Sequence, residues 1–248
     1  MKLIQSRDNA FFKQLRKLAE SGRERRKAGQ TLLDGVHLVE SYEKIIAPLD
    51  TLVVAESALA GGEIADYLAG REVVVLADAL MRELGLVDTP SGLLALAPIP
   101  AAGGKPDLAA DAILLDGVQD PGNVGTLLRT AAAAGVRQAL LSPGCAAAWS
   151  PKVLRAGQGA HFVLAIHEEA DLEAFAATYR GTLAVTTLED SLSLYAAEWQ
   201  SPLAWVFGAE GQGVRRALLW NSMVVRHYCR KAMIAELLDT VMVRTALV

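Results

Sequence analysis

The chain has 248 residues, 52% hydrophobic and 6% aromatic, with two cysteines and a formal net charge of −4. That is enough apolar material for one large core or two modest ones. Cys145 and Cys229 stand far apart without Cys or His at ligand spacing, which excludes a disulfide framework and a zinc site; no run of about 18 uncharged apolar residues offers a membrane span.

The start, "MKLIQSRDNAFF", has no signal-peptide apolar region, so a cytoplasmic protein is expected. Charge is unevenly spread. Residues 1–27 carry nine basic side chains (Lys2, Arg7, Lys13, Arg16, Lys17, Arg23, Arg25, Arg26, Lys27) against Asp8, Glu20 and Glu24, a local +6 that leaves −10 elsewhere. Such an arm suits phosphate contacts, because Lys and Arg displace counterions condensed on nucleic acid. A solvated helix face is the alternative.

"DNAFFKQLRKLAESG" predicts a helix capped by Asp8 or Asn9, with Phe12, Leu15, Leu18 and Ala19 at helical spacing and Gly22 ending it. "GQTLLDGVHLVESYEKI" predicts a strand, a glycine turn and a helix. "TLVVA" (51–55), "EVVVLA" (72–77) and "SGLLALAPI" are strands, with a helical stretch around "GEIADYLAG". This alternation predicts a small α/β domain over residues 1–100. "PIPAAGGKPDLAAD" has linker composition, and residues 101–108 are expected to separate it from a second domain, 109–248.

In that domain "AILL" (112–115), "QALLS" (138–142), "FVLAI" (162–166), "TLAVTTL" (182–188) and "LAWVFG" (203–208) are five apolar runs separated by helices. They predict an α/β fold with a mostly parallel sheet covered on both faces. Ligands of open parallel sheets sit beyond the carboxyl ends of the strands. Glycine-rich turns follow both "AILLD" and "LAWVF".

In the first turn, "DGVQDPGNVGTLLRT", Pro121 fixes a backbone dihedral, Gly122 permits close approach and Asn123 is expected to cap the helix. Arg129 follows about 1.7 helical turns later. In the second, "FGAEGQGV", Gly208, Gly211 and Gly213 surround Glu210 and let backbone N–H groups approach a ligand. Neither a dinucleotide fingerprint nor a phosphate loop is present. Between them "SPKVLRAGQGAHF" is a flexible basic turn around Arg155.

In this order, "LLDGVQDPGNVGTLLRTAAAAGV", "SPKVLRAGQGAHF" and "LAWVFGAEGQGV" resemble the SpoU/TrmH branch of the SPOUT RNA methyltransferases. "SRDNAFFKQLRKL", "LLDGVHLVESY" and "TPSGLLALA" resemble that family's RNA-binding extension. The resemblance implies methyl transfer from S-adenosylmethionine to a ribose 2′-hydroxyl of rRNA or tRNA, a C-terminal trefoil knot holding the cofactor, and a homodimer. It assigns Arg129, Asn123 and Glu210 to catalysis, with Asn123 and Glu210 shaping the pocket and holding Arg129. It assigns Gly208, Gly211, Gly213 and Leu238 to the cofactor. Arg7, Lys13, Arg16, Lys17, Arg23, Arg25, Arg26 and Arg155 are the RNA-binding candidates; no metal is implied. The tail departs from the family: "VVRHYC" stands where an Ile-Pro segment is usual, and Leu237 and Asp239 replace Ser and Asn. That departure motivates a second reading, a non-catalytic RNA-binding protein of the same fold.

Overall fold

The structure, a computed structural model, describes residues 2–87, 89–101, 103–187, 192–193, 199–219 and 223–226. The tail after Arg226, including Leu238, lies outside the described residues. The chain divides into two compact units, Met1–Pro100 with Trp149–Phe162, and Ala101–Ala148 with Val163–Val248.

The first unit opens with strand β1 (Lys2–Ile4) and helix α1 (Ala10–Glu20). Asn9 is the cap: its Oδ1 accepts from the N–H groups of Phe11 (2.9 Å) and Phe12 (3.3 Å). Phe12, Leu15 and Leu18 are buried, as their spacing predicts. The helix ends at Ser21, and Gly22, expected as a stop, instead begins helix α2 (Gly22–Ala28). Ser21 Oγ accepts from Glu24 N at 3.2 Å, so the Ser-x-x-Glu spacing starts a new helix more strongly than one glycine stops the old. Arg25 then turns inward at 5% exposure and donates to the carbonyls of Leu18 (2.6 Å) and Ala19 (3.1 Å). It satisfies carbonyls that α1's end leaves without helical partners. This corrects its place among the RNA-binding candidates.

Strands β2 (Gln30–Asp34), β3 (Leu52–Ala55), β4 (Val73–Leu76) and β5 (Leu93–Pro98) complete a mixed sheet in the order β1-β4-β3-β5-β2. Pairs β1–β4 and β3–β4 are parallel; β5 is antiparallel to β2 and β3. Helices α3 (Val36–Ile45), α4 (Glu63–Leu68) and α5 (Asp78–Glu83) join the strands. Leu15, Leu18, Leu32, Val53, Leu76 and Leu94 lie in its core.

Residues 149–162 were expected in the second domain but pack with the first. Thr31 Oγ1 donates to Trp149 O at 2.7 Å, and the Tyr42 and Phe162 rings meet edge-on at 5.2 Å. Helix α7 (Pro151–Gly157), within that segment, carries Arg155, which pairs with the buried Asp34 carboxylate. The Thr31 bond at one end, the Tyr42–Phe162 contact at the other and the Asp34–Arg155 pair between them outweigh the segment's sequence position.

Glu43 is a second anchor of this unit. Its carboxylate accepts from Tyr67 Oη (2.7 Å), Arg71 (2.8 and 3.1 Å) and Leu49 N (3.3 Å). Burial pushes its pKa up, but the bonds from Arg71, Tyr67 and Leu49 outweigh burial and hold it below the ordinary value. Arg71→Met is expected to cost about 1 kcal/mol at pH 7, since the guanidinium is partly solvated. A depressed carboxyl pKa stabilises above the unfolded value, and that stability disappears as pH falls through the folded value. Denaturant unfolding in steps downward from pH 7 checks this: the deficit should shrink as the pH falls through the folded value.

The second unit holds β6 (Ala112–Asp116), β7 (Gln138–Leu141), β8 (Ala165–His167), β9 (Thr182–Thr187), β10 (Leu192–Ser193), β11 (Leu203–Gly208) and β12 (Met223–Arg226). Their order is β10-β12-β9-β11-β6-β7-β8, and every adjacent pair is parallel. Helices α6 (Pro121–Ala133) and α8 (Leu172–Thr178) flank them. The run at 162–166 is not a strand throughout: Ala160–Phe162 forms a 3-10 turn, Phe162 is spent on Tyr42, and β8 starts at Ala165. β10 and β12 add two strands to the five expected. No helix among the described residues is long and apolar enough to cross a membrane.

Candidate active site

From β6 the chain steps outward to β7 and β8, then crosses to the far side of β11 for β9. β6 and β11 are thus neighbours where the direction of winding reverses, the usual ligand site of such sheets. Gly208 pairs in register with Asp116, so the two glycine-rich turns leave the same edge side by side.

Helix α6 starts on the first turn. Its cap is Asp120, whose Oδ1 accepts from Asn123 N at 2.8 Å, with Pro121 at the first helical position. The expectation that Asn123 caps the helix is therefore corrected. Asn123 is the third helical residue, and its amide is free to reach across: Nδ2 donates to Glu210 Oε1 at 2.5 Å. This bond joins the helix after β6 to the loop after β11. No bond to Glu210 Oε2 is present among the described residues.

The loop after β11 folds on itself. Gly213 N donates to Ala209 O at 2.8 Å, and Gly213 takes a φ of +67°. A Cβ on Gly208 would lie 2.1 Å from Gly213 C, so only glycine fits there. A Cβ on Gly211 or Gly213 would meet nothing within 4 Å, so that stretch of backbone faces open space a ligand can approach. These residues fit a cofactor bound through backbone groups. Among the described residues no cluster of three or more His, Cys, Asp or Glu could hold a metal ion.

Asp116 and Arg215 pin the loop to β6. Buried Asp116 accepts Arg215 N at 2.9 Å and Arg215 Nε at 2.8 Å, and Arg215 Nη1 reaches Glu173 at 3.1 Å. Sequence reading missed both residues; an acid closing a buried strand run was the available signal. Arg215→Ala leaves the buried Asp116 carboxylate only the backbone N–H of residue 215 and the Ser142 hydroxyl, and is expected to cost about 1 to 2 kcal/mol, with Arg215→Lys recovering part. Thermal unfolding of both variants checks the ranking.

Arg129 is not brought to the pair. Six positions on, it sits about 9 Å along the helix axis and about 120° around it from Asn123. It lies on the exposed face with Thr126, while Val124, Leu127 and Leu128 are buried. Among the described residues it has no ion-pair or hydrogen-bond partner; Asn123 and Glu210 hold each other.

The remaining RNA-binding candidates lie in the first unit. Arg7 pairs with Glu83 (2.6 Å), Lys13 with Asp8 (2.9 Å), and Arg16 with Glu20 and Glu83 (3.7 Å each). The Lys13 ammonium, hydrogen-bonded to Asp8, lowers that carboxyl's pKa. Lys17, Arg23 and Arg26 are exposed.

Comparison with known proteins agrees with this geometry. The profile of the SpoU rRNA Methylase family matches residues 111–226, and that of the MRM3-like substrate binding domain matches 9–95. The 23S rRNA (guanosine(2553)-2′-O)-methyltransferase RlmP of Bacillus subtilis (strain 168) is 31% identical over 225 residues, spanning 88% of this chain and 87% of its own. The chain belongs to the SpoU rRNA methylase family. Among solved structures, an RNA 2′-O ribose methyltransferase superposes with a TM-score of 0.81 at 26% identity, covering 99% of this chain and 100% of its own. An AdoMet-bound rRNA methyltransferase from Sinorhizobium meliloti shares the SpoU fold, with a TM-score of 0.76 at 21% identity over 100% of this chain and 98% of its own. These likenesses lend no support to a non-catalytic protein. The SpoU match ends with β12.

Proposed function

We propose that the protein transfers a methyl group from S-adenosylmethionine to a ribose 2′-hydroxyl of RNA, with rRNA favoured over tRNA. The observation that carries this is the Asn123–Glu210 bond, which ties the helix after β6 to the glycine loop after β11 at the sheet's switch point. The name of the Bacillus relative favours rRNA.

The cofactor supplies an electrophilic methyl on a sulfonium. The chain's task is to seat it and make a weak nucleophile attack. Backbone at Gly211 and Gly213 faces open space on the cofactor side, and Gly208 lets the loop fold tightly enough to present it. Asn123 and Glu210 fix the mouth between the two loops. As the 2′-oxygen bonds the methyl carbon, the methyl–sulfur bond breaks to leave a neutral thioether, and the hydroxyl proton passes to water or an RNA phosphate oxygen; oxyanion character develops on the 2′-oxygen meanwhile. A guanidinium stays protonated in nearly all settings, so Arg129 stabilises that oxygen and grips phosphate rather than acting as the base. Lacking an internal partner, its charge is available to RNA.

β12 inserts between β9 and β10 rather than at an edge. That arrangement supports the C-terminal knot the resemblance implies. The openness of Arg129 and Glu210 accords with a homodimer whose site lies near the subunit interface. An rRNA or tRNA substrate accords with a cytoplasmic enzyme, and the first unit serves as its RNA-binding domain.

The test is incubation with methyl-labelled S-adenosylmethionine and purified rRNA or tRNA, followed by nuclease digestion. Label in nuclease-resistant 2′-O-methylated dinucleotides is expected. Unlabelled RNA, where an intact family member labels the same preparation, would refute the activity.

A further inference from the structure

The cations at the start of the chain fall into three groups. Of those on and before α1, Arg7, Lys13 and Arg16 each face a carboxylate of Asp8, Glu20 or Glu83, while Lys17 is exposed as a single cation without an ion pair among the described residues. Arg25 is buried against α1's carbonyls. Arg23, Arg26 and Lys27 are different. They are exposed on α2, and among the described residues no carboxylate lies within ion-pair distance of them.

Their placement is regular. At 100° per residue the three fall within an arc of about 100°, Arg23 meeting Arg26 and Lys27 at i+3 and i+4. Arg25 lies on the opposite face, where its guanidinium fastens α2 to α1. Like charges at these spacings repel, which disfavours the helix on its own. The inward Arg25 bonds fasten the helix, and the carboxyl end of α2 attracts Arg26 and Lys27, though not Arg23 in the first turn. A ridge of three unanswered cations, on a helix fixed from behind, is built for an anion from outside.

We propose that α2 is an RNA-backbone ridge: Arg23, Arg26 and Lys27 contact consecutive phosphates, and Arg25 sets the helix's angle without touching RNA. The ridge rests on the RNA methyltransferase reading above. It reads charge and spacing rather than base identity, so it contributes affinity evenly across RNA sequences.

The experiment compares wild-type protein with R23A/R26A/K27A and with R7A/K13A/R16A, which removes as many charges from the answered set. Affinity for an rRNA fragment is measured between about 50 and 200 mM salt. The ridge variant should lose about 10-fold or more in affinity, and its salt slope should fall by about 2 to 3. The second variant should stay within about 3-fold, its cations being partly neutralised already. Alanine favours helix, so circular dichroism should show the ridge variant folded; the single variant Arg26→Glu, expected to lose affinity as well, guards against misfolding. Equal losses in the two triple variants, or none in the ridge variant while wild type still methylates RNA, would overturn the ridge alone. Wild-type protein that neither binds nor methylates RNA would overturn the ridge and the enzyme reading together.

Discussion

Replacing Arg129 by alanine is expected to lower the rate of methyl transfer about 100- to 1,000-fold, the usual loss for one preorganised group at a developing oxyanion. Thermal stability should hardly move. The side chain is exposed and has no partner among the described residues, so nothing inside the fold is left unpaired by its removal. Cofactor affinity, read by calorimetry, should also stay near wild type. Arg129→Lys should recover part of the loss, because it restores charge without the planar fork that grips phosphate or an oxyanion at two points. Single-turnover rates at saturating RNA separate this role from simple binding. If saturating RNA restores the wild-type rate, Arg129 only holds substrate and the assigned role is wrong.

The second large effect belongs to Gly208→Ala. The added Cβ would stand 2.1 Å from Gly213 C and 2.3 Å from both Gly213 O and Val214 N, all backbone atoms that no rotamer change can move. Relief requires the loop to open, which breaks the Ala209–Gly213 pairing and carries Glu210 away from Asn123. A cost of about 3 kcal/mol is expected, with cofactor binding lost in the fraction that stays folded. Gly211→Ala makes the matched control, since its Cβ meets nothing within 4 Å and its φ is not positive. It should change stability by less than about 0.5 kcal/mol. Urea unfolding and calorimetry on the pair decide it; equal behaviour would show that the contact at Gly208 is not as close as described.

The site was legible where its signals are local. Pro121, Gly122 and the three glycines around Glu210 declare two tight turns, and the apolar runs before them declare strand ends. That the turns are adjacent depends on β6 pairing with β11 across some ninety residues, which no local pattern encodes. The same limit hid the cap. Asp120 and Asn123 are both good cap residues, and only the position of Pro121 immediately after Asp120 favours the former. Arg25 was misread because a charge run shows composition, not direction: neighbours two residues apart on a short helix face opposite ways. Phe162 and Trp149 were misassigned because their partners, Tyr42 and Thr31, lie more than a hundred positions upstream. β10, of two residues, is too short for any periodicity, whereas β12 is as long as β3, β4 or β7 and was passed over; pairing defines both.

The placement of residues 149–162 bears on how such a protein could have been assembled. An RNA-binding module fused to the front of a methyltransferase needs one junction. Here the chain passes between the units three times, near 100, 148 and 162. Exchanging the first hundred residues for another module would leave Trp149, Arg155 and Phe162 facing a stranger's surface, without Thr31, Asp34 and Tyr42 to receive them. The segment belongs to the stretch matched by the methylase profile while its receiving surface belongs to the other, so variation in one should be tracked by variation in the other.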